Sequence, residues 1–150
     1  MHATLRDAAI GALIGSLAVI GTFGLLVVVG LVRVAPWVQM WNHFMGGTAE
    51  EWLIPALVGG LLFLVIGVLW GLPFYRIEEP STFKGVIYGV LPTLWAWTGM
   101  PLLMDRPPLG NLDPIAVMLP VLMNCIIWGS ILGWWCERAV FGGNSASVYY

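Results

Sequence analysis

Four long apolar stretches, separated by short polar punctuation, organise this chain. They cover residues 8–32, 52–72, 83–103 and 114–135. Each is long enough to cross a hydrocarbon core of about 30 Å as a helix rising about 1.5 Å per residue. Charged side chains are kept out of their interiors. Backbone groups in lipid must be paired within their own segment, so these stretches predict helices, not strands. Small residues recur along each at helical spacing, for example Gly11, Gly15 and Ala18 in the first and Gly85, Gly89 and Ala96 in the third. Such ridges let helix backbones approach closely. The pattern predicts an all-α polytopic membrane protein, with four transmembrane helices in a compact bundle over residues 1–140 and a polar tail over 141–150.

The loop between the first two stretches carries a pattern of its own. Read as a helix from Pro36, it places Trp37, Met40, Trp41 and Phe44 on one face and Gln39, Asn42 and His43 on the other. That separation predicts a short amphipathic helix in the membrane interface, rings toward lipid and amides toward water. Other boundaries carry helix-end chemistry. Thr48 and Glu51 form a capping-box pattern. Asp113 before Pro114 is an N-cap followed by proline at the first helical position. Ser81 or Thr82 can cap the third span, and Arg76 and Arg138 lie where cations suit a helix C-terminus. Pro92 and Pro120 fall inside spans and predict kinks.

Composition sharpens the class. Of 150 residues, 59% are hydrophobic and only 9% are charged, against about 25% charged in an ordinary soluble domain. Mean hydropathy is +0.89. A chain this short cannot hide so much apolar surface from water, which excludes a soluble globular enzyme and a disordered protein. The net charge of −2 and the lack of a basic run exclude a nucleic-acid partner. Arg6, Arg76, Lys84 and Arg138 fall on one side of the predicted topology and Arg33 and Arg106 on the other. The positive-inside rule then predicts both termini in the cytoplasm, with the chain multi-pass in the inner (cytoplasmic) cell membrane.

Intramembrane catalysis and ion coupling usually need ionisable groups facing the bundle interior, and the span interiors offer none. His2 and His43 are predicted on opposite faces, too far apart to ligate one haem together. Cys125 and Cys136 are about 16 Å apart along one helix, beyond disulfide reach, and no zinc-like spacing or other metal set is present. Asn124 is the most polar group near the middle of a span and predicts a hydrogen bond to a neighbouring helix. Nine tryptophans are present. Most suit the interfacial belts, but Trp95, Trp97 and Trp128 lie deep. Residues 95 and 97 point about 200° apart on a helix, so at least one of them must face outward. His43, Trp95, Trp97, Asn124 and Trp128 are therefore the candidate contacts to a lipid, quinone or pigment at a subunit interface.

The run Lys84-Gly85 to Gly89 with Trp95 and Pro101, followed by Asn124 to Trp128-Gly129 and Leu132-Gly133-Trp134, resembles small bacterial and archaeal four-helix membrane proteins of unassigned function. The resemblance covers roughly the second half of the chain and implies a four-helix bundle without an activity. It departs from that pattern at Asn124, where those proteins often carry histidine. Together the features predict a non-catalytic accessory subunit of a larger integral-membrane complex, such as one of respiratory or photosynthetic electron transfer. Its partners would be other membrane subunits and lipids. The alternative is a small transporter or lipid-handling protein, alone or as a homo-oligomer, with a central cavity lined by Thr93, Asn124 and Ser130.

Overall fold

The structure is a computed structural model that describes residues 1–46 and 52–142. The Thr48–Glu51 capping pattern and the tail beyond residue 142 lie outside the described residues. Four helices are long and apolar enough to cross a membrane: Leu5–Val28, Leu53–Arg76, Thr82–Leu103 and Pro114–Phe141. Among the described residues there is no strand, only an isolated antiparallel bridge between His2 and Glu78.

The first span, α1 (Leu5–Val28), begins before the predicted 8 and ends before the predicted 32. A capping box formed by Thr4 and Asp7, legible in the sequence but not among the predicted caps, sets its start. Thr4 accepts from the Asp7 amide at 3.1 Å, and the Asp7 carboxylate accepts from the Thr4 amide at 3.0 Å. Its end is set by Gly30 at φ +77. There the Leu31 amide reaches back to the Leu26 carbonyl and the Gly30 amide to Val27, the Schellman arrangement that needs a left-handed residue after the cap.

Next comes α2 (Pro36–Met45). Its Trp37 does not turn toward lipid as the sequence pattern predicts. It is buried, its ring edge-on to Phe23 at 5.5 Å and tilted against Phe63 at 5.2 Å. Burying an aromatic ring of this size between two others outweighs the separation of faces seen in isolation. The second span joins α3 (Leu53–Gly71) to a 3₁₀ turn (Leu72–Arg76).

Prolines shape the other two spans. In the third, α4 (Thr82–Tyr88), α5 (Val90–Trp97) and α6 (Gly99–Leu103) follow one another with one residue between each pair. Both α4 and α5 end four residues before a proline, Pro92 and Pro101. Proline supplies no N–H to that carbonyl and crowds it. The ladder resumes at once through Thr93 to Gly89 and Leu102 to Thr98, so each interruption is one missing rung. In the fourth span, α7 (Pro114–Pro120) passes at Pro120 into a π-helix (Val121–Gly129) and then α8 (Ser130–Phe141). The span runs six residues past the predicted 135. Predicted caps form here, with Asp113 accepting from the Ala116 amide at 3.0 Å and Ser81 from the Lys84 amide at 3.2 Å.

The first span packs on α3, α8 and the π-helix, while the third span packs on the π-helix and α8. The seam between third and fourth spans is a backbone contact. A Cβ on Gly85 would overlap the Gly129 carbonyl oxygen, one on Gly89 would overlap the Asn124 carbonyl oxygen, and one on Gly133 would overlap the Ser81 carbonyl oxygen. Just beyond the seam, Glu137 of α8 accepts from the Thr82 amide at 2.9 Å and the Thr82 hydroxyl at 3.0 Å. It thus caps a helix that is not its own, opposite the positive end of the dipole.

The ends of the spans sort the charges. Lys84 Nζ donates to the Glu78 and Glu79 carbonyls at 2.6 and 2.8 Å, and Glu78 faces His2 at 3.8 Å. The N-terminal residues are therefore tied to the turn between the second and third spans. At the opposite end, Arg106 donates to Gln39 at 3.0 Å.

Two substitutions test the seam. Gly85→Val should destabilise the detergent-solubilised chain by more than the roughly 1–3 kcal/mol typical of overpacking, because the obstruction is backbone. Gly21→Ala, which meets nothing within 4 Å, should change the thermal midpoint little. Separately, Glu137→Ala should cost about 1 kcal/mol and speed hydrogen exchange at the Thr82 amide.

Candidate functional site

The five candidate residues do not converge on one site. Trp95 and Trp97 point apart, as their spacing requires. Trp95 is 46% exposed on the outer side of the third span, with its ring laid against Gly99 so closely that a Cβ there would overlap it. Trp97 is half-buried, and its indole N–H donates to the Val117 carbonyl at 3.0 Å. That carbonyl lost its helical partner because the Val121 amide turns to Met118 instead, at the Pro120 junction. Trp128 is buried in the core, its ring stacked 6.3 Å from Tyr88. His43 lies at the α2 end of the molecule, edge-on to Phe44 at 5.1 Å.

Asn124 lies half-buried within the π-helix. The interhelical bond predicted for its side chain is absent among the described residues, and the polar ties come from the third span instead. Thr93, 1% exposed, places its hydroxyl 2.8 Å from the Gly89 carbonyl and 3.3 Å from that of Pro120. Its single proton favours the nearer acceptor. The Cys125 thiol, 3.5 Å away, can donate to the same hydroxyl oxygen. Tyr88, which sequence reading passed over, donates to the Trp70 carbonyl at 2.7 Å. In the 3₁₀ register that begins there, the Trp70 carbonyl stands opposite Pro73, which has no N–H to offer.

Four buried polar atoms stay without partners among the described residues: Asn42 Oδ1, the Trp135 indole N–H, the Ser16 hydroxyl and the Trp128 indole N–H. The last two face Gly67 of α3, where a Cβ would overlap Ser16 Oγ and come within 3.8 Å of Trp128 Nε1. Thr93 and Ser130, expected to line a central cavity, are bonded to backbone carbonyls, Ser130 to those of Ile126 and Ile127 in its own helix.

Open clefts lie instead at the two ends. One, of about 300 Å³, is lined by Arg33, Val34, Gln39, Asn42, His43 and Arg106. The other, of about 390 Å³, is lined by Asp7, Trp134, Trp135, Arg138 and Ala139, with the Arg138 guanidinium 5.6 Å from the centre of the Trp134 ring. Arg33 and Arg106 entered the sequence reading only through topology. What could have singled them out is that they are the sole basic residues on their predicted side.

These features define a helical membrane protein with four candidate spans. Comparison with protein-family models, curated proteins and solved structures finds no match to this chain.

The interior polar groups yield a contrast. Trp97→Phe strands the Val117 carbonyl and should cost about 1 kcal/mol in reversible unfolding from detergent. Ser16→Ala removes a hydroxyl that bonds nothing and should leave stability unchanged or raise it.

Proposed function

We propose that the chain is a non-catalytic accessory subunit that packs through the outer face of its third span against another integral-membrane subunit. The observation that carries this reading is Trp95. Its indole N–H has no acceptor among the described residues, it is exposed, and it lies nearer the middle of its span than either end. Lipid tails cannot accept a hydrogen bond, and an indole N–H normally finds a partner once removed from water. A carbonyl or side chain on a neighbouring subunit supplies that acceptor. Phe83, Ile87, Leu91 and Leu94 are exposed on the same span and extend the apolar surface around it.

The same reading takes the four spans as a compact bundle in the inner cell membrane, with both termini in the cytoplasm. The clustering of Arg6, Arg76, Lys84 and Arg138 at one end supports that orientation. It also takes α2 as lying in the interface. There the exposed His43, Phe44 and Met45 meet headgroups while Trp37 anchors the helix inward. Bound lipid, quinone or pigment would then sit at the subunit boundary beside Trp95.

The test is purification from native membranes in mild detergent, with identification of co-eluting chains and an absorption spectrum of the product. The wild-type chain should elute with at least one larger membrane subunit, and Trp95→Phe should weaken that association while leaving the chain's own thermal midpoint unchanged. Elution of the wild-type chain alone would reject the reading.

A further inference from the structure

At the α2 end of the molecule, Arg33 follows the first span and Arg106 lies between the third and fourth, yet both line one cleft with Gln39, Asn42 and His43. Both guanidinium groups are exposed. Neither has a carboxylate within ion-pair distance among the described residues, whose one such contact is His2 with Glu78 at the other end. Arg106 is oriented by a neutral acceptor, Gln39 Oε1, at 3.0 Å. Gln39 in turn donates through Nε2 to the Val34 carbonyl at 3.0 Å. This relay ties the Arg106 side chain to the segment that carries Arg33 and gives it no countercharge among the described residues. Asn42 Oδ1 is buried against the same cleft with no hydrogen-bond donor among the described residues. Because α1 ends at Val28 and the third span at Leu103, the cleft lies where the chain leaves the membrane, at the height of lipid headgroups.

Two guanidinium groups without a countercharge among the described residues, set beside an amide oxygen that has no donor among them, match a phosphate that carries a hydroxyl-bearing substituent. Guanidinium forks bind phosphate oxygens in pairs of parallel hydrogen bonds, and basic pockets beside membrane spans recognise anionic headgroups in this way. We propose that this cleft binds a phosphate-type anion, either the phosphodiester of an anionic lipid or free phosphate. Arg33 and Arg106 hold its oxygens, and Asn42 Oδ1 accepts from a headgroup hydroxyl.

Two measurements on the full chain separate the sources. In the first, the protein is placed in phosphatidylcholine nanodiscs, phosphatidylglycerol is titrated in, and retained lipid is counted by native mass spectrometry. In the second, inorganic phosphate is titrated calorimetrically into the detergent-solubilised chain. Retention of phosphatidylglycerol identifies a lipid headgroup; phosphate binding without lipid retention identifies a free anion. Arg33→Gln together with Arg106→Gln should weaken the observed binding roughly tenfold or more. Arg33→Gln alone, which removes no hydrogen bond or ion pair from the fold, should weaken it as well. Arg76→Gln, an equal loss of charge at the other end, should leave it unchanged. The proposal is overturned if the wild-type chain binds neither probe, if Arg33→Gln binds as the wild type does, or if Arg76→Gln weakens binding as much as the double substitution.

Discussion

A carbonyl group in lipid has no water to fall back on, and that constraint explains where the third span's polar side chains go. Pro73 withdraws an N–H from the ladder of the second span, and at the Pro120 junction of the fourth the Val121 amide turns from Val117 to Met118. The Trp70 and Val117 carbonyls are left open, and the Tyr88 hydroxyl and the Trp97 indole close them. Thr93 sits between these two on the same span and holds a carbonyl of its own helix while leaning toward that of Pro120. The third span therefore serves as a row of donors for breaks in the second and fourth. Prolines tolerated in membrane helices depend on re-satisfaction of this kind.

The donors aimed at the fourth span lie close to it because the third and fourth spans touch backbone to backbone. Gly85 and Gly89 on one side and Gly129 and Gly133 on the other remove the side chains that would hold the helices apart. Lipid offers little hydrophobic gain for helix association, so close contact and interhelical hydrogen bonds carry it. Glu137 at the end of the seam adds a charged acceptor for the Thr82 amide and hydroxyl.

Much of the architecture was readable in the sequence, because span length, apolar content and cap chemistry act locally. The four spans, the Asp113 cap, the Ser81 cap and the opposed directions of Trp95 and Trp97 needed no tertiary knowledge. The Thr4–Asp7 capping box, three residues apart, was equally local and was passed over; the rest of what escaped reading was set by partners distant in the chain. Trp37 looked lipid-facing until Phe23 and Phe63 closed around it. Asn124 looked like the central polar tie from its place near the middle of a span alone, whereas the fold sets the Thr93 hydroxyl of the third span between the Gly89 and Pro120 carbonyls. Glu137 gave no sign of capping another helix because its partner Thr82 is 55 residues away in the chain. The clustering of Arg33 and Arg106 in one cleft also required the fold, since their separation in the chain gives no hint of proximity.

The pairing of residues 1–3 with the second turn bears on how the chain is assembled. The Glu79 amide donates to the Met1 carbonyl at 2.9 Å, beside the His2–Glu78 bridge, and Ala3 is buried. Because Glu78 and Glu79 follow the second span, the clasp can shut only after both helices of the first hairpin have been synthesised, and once shut it latches the two ends of that hairpin together.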